Sequence, residues 1–354
     1  MNQTKRDLLR KVGDLSQLAG IRQMSFSSGK AKGTPALELY NLAGLRCTVL
    51  PDQCMNLFDM QYKGVNLGFI SKNGLAGSPY INALGDEFLY QWPAGMLYTC
   101  GLSNTGPSNE DHGRFQTEHG RIGFAPAEYI AINEDWENDS YVIKLKGSMR
   151  ETMIYGLNLK LTREISLGLH DKHILIEDTL ENLEPKEEEF MLLYHFNFGY
   201  PLVDDGAEIL TSAGEVSPRT ENSKKGLKNW NKIESPEDGA EEEVFFHKNP
   251  PNTKVAEAAI INSTLGLGVK LRYSADTLPI LVQWKSMRSH DYVIGVEPSN
   301  SFIMGRNEER KNGTLKKIGG FEKIHYKLEL MVIDGESEIQ EVRNQLGNGY
   351  VLIS

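Results

Sequence analysis

The sequence predicts an all-β fold, a large sandwich of mainly antiparallel strands preceded by one short helix. Three observations carry that expectation. Apolar and polar residues alternate with a period of two in several separate stretches, strands follow strands without helical patterns between them, and Gly, Pro and Asn cut the apolar runs into short pieces. Strands with one buried and one solvated face belong to antiparallel sheets, and the missing crossover helices argue against βαβ architecture. A chain of 354 residues can form one such large β domain.

The elements follow in order. Thr4 to Val12 reads as a helix: Thr4 and Asp7 resemble a capping box, Leu8, Leu9 and Val12 form an apolar stripe, and Gly13 ends it. From Leu37 the punctuation is that of hairpins, with short strands at 37–41, 45–51 and 55–62. Gly95 to Asp111 is rich in Gly, Asn and Ser and reads as loop. The clearest alternation lies in Tyr141, Ile143 and Leu145, in Leu159, Leu161, Arg163 and Ile165, in Ile174, Ile176 and Leu180, and in Tyr326, Leu328, Leu330 and Val332. A second short helix is expected at 338–345. Residues 1–36 form the helix and lead-in, and residues 37–354 one sandwich domain with a polar excursion at about 216–243. Charge runs of that kind are usually solvated, and Trp230 within it is expected to plug back onto the core.

Composition narrows the function. A net charge of −10 and a pI near 5.4 give no basic footprint for nucleic acid or an anionic membrane. The N-terminal segment has no apolar run, so a cytoplasmic protein is expected. Cys47, Cys54 and Cys100 form no CxxC pair and leave an odd one, which argues against a disulfide framework and a zinc site. No GxGxxG or P-loop pattern is present.

Four stretches hold polar residues where chemistry could occur. In 116–126, QTEHGRIGFAP, His119 is flanked by an acid, by Arg121 and by glycines that let backbone approach a ligand. In 190–201, FMLLYHFNFGYP, His195 and Asn197 interrupt an apolar run, and a buried His needs a partner. In 291–302, Glu297 ends an apolar strand that Pro298 terminates, so its carboxylate is placed at a site mouth or caps a loop. In 281–285, Gln283, Trp284 and Lys285 stand together, either to bind hydroxyls and stack on a sugar or as a core Trp beside a snorkelling Lys. The other six histidines sit in polar-looking contexts and receive no role.

In order, TCGL at 99–102, EHGRIGFAPA, YHFNFGYPL, QWK and YVIGVEPSN resemble the aldose 1-epimerase (galactose mutarotase-like) superfamily, most closely its bacterial aldose 1-epimerase-related group of unknown function. The resemblance covers about residues 39–332. It implies a β-supersandwich that holds a small-molecule sugar or sugar derivative and inverts the anomeric carbon through the open-chain form, with no metal or organic cofactor. A homodimer is compatible with it. Glu297 would be the general base at the anomeric hydroxyl and His195 the general acid at the ring oxygen. His119 would orient the substrate with Arg121; Asn197, Gln283, Trp284, Lys285 and Arg306 would complete the binding set. The chain departs from the group at Gln53, where an Arg is frequent, and lacks the Arg and final Asp that contact sugar in mutarotases proper. Two alternatives stay open: a non-catalytic sugar-binding protein, and a sugar-phosphate epimerase relying on Arg121, Lys285 and Arg306.

Overall fold

Alternation becomes two sheets in the computed structural model, which describes residues 4–82, 84–85, 87–347 and 349–353. Among these residues the larger sheet has thirteen strands and the smaller eight. The larger sheet's central order is Asn56–Tyr62, Leu97–Leu102, Glu188–Phe198, Asp291–Ser299, Ile280–Arg288 and Glu243–Lys248, every neighbour antiparallel. The smaller runs from Glu208–Thr211 through Lys323–Asp334 and His173–Asn182 to Tyr129–Glu137.

The predicted alternation sets the core. Tyr141, Ile143, Leu145, Leu159, Leu161, Ile174, Ile176, Leu328 and Leu330 of the smaller sheet join Leu39, Leu57, Tyr194, Phe196 and Ile294 of the larger in one buried cluster. Each fully buried aliphatic side chain there contributes about 1.5–3 kcal/mol. Arg163 shares the inward face and is fully buried because its guanidinium is satisfied: Nη2 lies 2.7 Å from Asp178 Oδ2, Nη1 donates to Cys54 O at 3.1 Å, and Nη2 to Thr99 Oγ1 at 3.0 Å.

Glu188–Phe198 is buried on both faces. Leu192, Tyr194, Phe196 and Phe198 face the inter-sheet core, while Leu193 joins Tyr98, Cys100, Val244, Val282, Ile303 and Phe88 in a second cluster on the outer face. That outer face carries the site.

Several expectations needed revision. Leu97–Leu102, within the stretch read as loop, is a fully buried strand, because Leu97 and Tyr98 feed opposite clusters. The strand holding Glu297 runs on through Pro298 to Ser299. Pro298 pairs with Leu281 on one side, and on the other the ladder jumps from Phe196↔Val296 to Leu193↔Ser299. A residue without an N–H is tolerated at such an interruption. His247 is 1 % exposed, not polar-facing, with Nε2 2.8 Å from Gln283 Oε1. Short helices at Glu87–Gln91, Glu221–Gly226 and Arg306–Lys311 lack the length to show a period in sequence.

Other readings hold. Thr4 forms the capping box with Asp7, although the helix it caps, Lys5–Leu9, stops short of the expected Val12; the C-terminal helix spans Glu336–Leu346, and Cys47, Cys54 and Cys100 are buried. Trp230 is 1 % exposed, packed edge-on against His247 and Tyr350. No described helix is long and apolar enough to cross a membrane.

Candidate active site

Strand register brings the site together. The Leu193↔Ser299 and Phe196↔Val296 pairs set His195 opposite Glu297 on neighbouring central strands. Their side chains share the outer face, and His195 Nε2 lies 3.3 Å from Glu297 Oε1. His195 is 6 % exposed and Glu297 1 %. Gly295, two residues before Glu297 on the same face, leaves the space the carboxylate occupies: a Cβ there would stand 2.3 Å from Glu297 Oε1.

His119 reaches the same place from a turn. Its backbone is left-handed, at φ 54°. Main-chain hydrogen bonds hold it, His119 N donating to Gly106 O at 3.0 Å and His119 O accepting from Gly101 N at 2.9 Å. Gly120 has to be glycine here, with φ +74° and room for no Cβ beside Gly101 O, 2.0 Å away. Gly106 N donates to His119 Nδ1 at 3.5 Å, which places the proton of the neutral ring on Nε2. The His119 and His195 ring centroids are 5.7 Å apart.

Aromatic rings wall the cavity, whose volume is about 270 Å³. Trp92 meets His195 at 5.1 Å and Trp284 at 5.8 Å, and Phe88 meets His119 at 5.4 Å. Trp284 Nε1 donates to Glu242 Oε2 at 2.8 Å, which fixes the indole. Arg219, Glu118, Val244 and Ile303 also line the space.

Burial sets the charges. It pushes His195 well below the usual imidazole range, with His119 adding to the effect, and Glu297 well above the usual carboxylate range, with the Glu242 charge adding. The free pair therefore favours its uncharged forms. His119 is lowered to about 4 by burial and by Arg219, so it is neutral at neutral pH. Glu297 Oε1 and His195 Nδ1 are buried without a hydrogen-bond partner among the described residues, the 3.3 Å contact lacking hydrogen-bond geometry. Both residues line the cavity, and unpaired buried polar atoms beside a cavity are groups that a hydroxylated ligand could satisfy. Among the described residues, no group of three or more His, Cys, Asp or Glu is placed to hold a metal.

Of the residues singled out in sequence, His119, His195, Trp284 and Glu297 line this cavity. The others lie elsewhere. Gln283 and Lys285 flank Trp284 and so face the opposite side of the strand. Gln283 Nε2 donates to Trp230 O at 2.7 Å, and Lys285 Nζ pairs with Glu234 at 2.7 Å and Glu243 at 3.6 Å. Asn197 shares the face of His195 but donates to Gly95 O and His195 O at 2.9 and 3.0 Å. Arg121 and Arg306 line a separate cavity, where Arg306 is paired with Asp111 at 3.1 Å. Gln53 is buried and donates to Ala76 O at 2.8 Å, so this departure does not touch the cavity.

Among the lining residues that sequence reasoning missed are Phe88, Trp92, Arg219 and Glu242. Phe88 and Trp92 are spaced i, i+4, the one available signal, and sit at either end of a short helix. Arg219 and Glu242 bracket the polar excursion, whose Lys224, Lys225 and Lys228 are exposed as expected while its ends fold into the site.

Two packed, mainly antiparallel sheets form a sandwich of the galactose mutarotase-like kind. Structures sharing it include a candidate aldose 1-epimerase from Klebsiella pneumoniae (24% identity, TM-score 0.89, covering 94% of this chain and 90% of that one). A galactose mutarotase-like protein from Clostridium acetobutylicum aligns at 14% identity and TM-score 0.61 over 90% and 99% of the two chains. A galactose 1-epimerase from Lactobacillus acidophilus aligns at 13% and 0.54 over 90% and 100%. At such identities these likenesses establish the fold. The chain belongs to the DUF4432 family, a domain of unknown function, which matches residues 31–332. No curated protein matches it.

Proposed function

We propose that this protein interconverts the anomers of a reducing sugar by acid–base ring opening, without a cofactor. The observation that carries the reading is the 3.3 Å approach of His195 Nε2 to Glu297 Oε1 in a buried cavity walled by aromatic rings. Opening a hemiacetal removes the proton of the anomeric hydroxyl and adds one to the ring oxygen, two atoms bonded to the same carbon. A base and an acid must therefore face that carbon together.

In the proposed cycle Glu297 takes the hydroxyl proton and His195 supplies one to the ring oxygen, the C1–O5 bond breaking as the C1 carbonyl forms. Rotation about C1–C2 exposes the other carbonyl face. Reclosure then returns the proton from Glu297 to O1, and His195 takes back the one on O5. Burial favours the neutral pair in the free protein, and the working carboxylate–imidazolium form is one proton transfer away. Sugar hydroxyls bonded to the unpaired Glu297 and His195 atoms would stabilise that form. His119, neutral with its proton on Nε2, would donate to the sugar as an orienting group. The aromatic walls offer flat apolar faces to the C–H face of the ring.

Exchange NMR on the anomeric protons of common aldoses, ketoses and uronates tests the reading, with the Glu297→Gln variant as control. Acceleration by the wild type and its loss in the folded variant are expected. Saturable sugar binding without acceleration would replace the reading with that of a sugar-binding protein.

A further inference from the structure

We propose that the groove contains a second sugar subsite beyond Trp92 and Trp284, so that the preferred substrate is a reducing disaccharide or longer oligosaccharide; this rests on the mutarotase reading of the first cavity. Leu89, Trp92, Trp284 and Glu242 line both that cavity and a neighbouring one of about 690 Å³. The two tryptophan rings, 5.8 Å apart and tilted by 54°, form a shared wall, and the bond from Trp284 to Glu242 holds one of them in place.

The second cavity follows from strand geometry. Trp284, Ser286 and Arg288 alternate onto the same outer face of their strand, spanning about 13 Å at a strand's rise. Glu297 stands level with Val282, one step behind Trp284 on that face. The row therefore leads away from the reacting pair along one continuous surface.

Its chemistry matches a sugar. Phe69, Trp92 and Trp284 supply apolar faces, while Ser286, Arg288 and Asn222 supply short-range polar groups. Ser286 is 5 % exposed as a residue and its hydroxyl makes no hydrogen bond to another described residue, and the Arg288 guanidinium has no ion pair among them. Lys72 is neutralised by Asp291 at 2.7 Å, so the lobe is not a concentrated cationic site of the kind a phosphate needs. The smaller cavity suits one ring, with the anomeric carbon at Glu297 and His195. A ring linked through a hydroxyl remote from that carbon would pass the tryptophans and lie over Ser286.

Exchange NMR on glucose, galactose, glucuronate, cellobiose, maltose and lactose tests this, with the wild type, Ser286→Trp and Ser286→Ala. At least one disaccharide is expected to show a higher kcat/KM than every monosaccharide. Ser286→Trp should lower the disaccharide-to-monosaccharide ratio of kcat/KM about tenfold or more, and Ser286→Ala by less. Monosaccharides or glucuronate ranking first, or a ratio unmoved by Ser286→Trp in a protein with an unchanged melting curve, would overturn the subsite. Should Ser286→Trp not fold, the wild-type ranking and Ser286→Ala decide. If no sugar is exchanged, the mutarotase reading fails by itself, and calorimetry of cellobiose against glucose decides the subsite: tighter cellobiose binding upholds it, equal or no binding removes it.

Discussion

His195 and Glu297 come from strands that are adjacent in the larger sheet, in a register that sets them opposite each other with Nε2 and Oε1 3.3 Å apart. Glu297→Gln keeps the shape of the side chain and removes the proposed base. Anomer exchange should fall by about 10²–10⁴-fold, the usual contribution of a positioned acid or base. A melting temperature within a few degrees of wild type, measured alongside, separates lost chemistry from lost fold.

Gly295 gives the carboxylate its place. A methyl group there would stand 2.3 Å from Glu297 Oε1 and 3.0 Å from Trp284 Cβ, so Gly295→Ala must turn the Glu297 side chain away. The expected result is a fall in kcat larger than the rise in KM, with a shifted pH–rate profile. A profile and kcat equal to wild type would show that the carboxylate position is not critical.

Arg121 and Arg306 lie outside the cavity that holds His195. Arg121→Ala should leave KM for the best sugar within about twofold, as expected of a surface change that removes no substrate contact. A tenfold rise in KM would bring Arg121 back into the binding set.

Acid should destabilise the protein well before its carboxylates titrate in bulk. His247, 1 % exposed, has its pKa lowered by burial to about 4 from 6.5. The unfolded chain binds its proton first, so stability is complete above pH ~6.5 and is lost as pH falls toward ~4, by on the order of 3 kcal/mol for this group. His119 shifts the same way but is partly exposed, and contributes less. Urea midpoints measured from pH 7 to pH 4 should fall steadily, and His247→Gln should flatten the slope.

The inter-sheet core depends on one buried ion pair. Arg163 and Asp178 are both fully buried, and Tyr194 donates its hydroxyl to Asp178 Oδ2 at 2.9 Å. Arg163→Met leaves that carboxylate without its cation and should cost about 3–5 kcal/mol in chemical denaturation, while the double change with Asp178→Leu should cost less. Equal losses in the two variants would show that packing, and not charge, dominates there.

The period-two alternation is a local property, and it determined the inward faces of Ser140–Thr152, Asn158–Gly168, His173–Asn182 and Lys323–Asp334 in the smaller sheet and the shared parity of His195 with Leu193. The same rule separates Gln283 and Lys285 from Trp284, since neighbours on a strand face opposite ways. Motif order pointed to His119, His195, Trp284 and Glu297, which line one cavity. What only the tertiary structure decided is what surrounds them. Phe88 and Trp92 arrive on a helix too short to show a period, and Arg219 and Glu242 on the ends of a charged excursion whose composition suggests only solvent. Pairing register and loop closure placed these residues beside His195, and both depend on contacts between segments far apart in the chain, which no local pattern encodes.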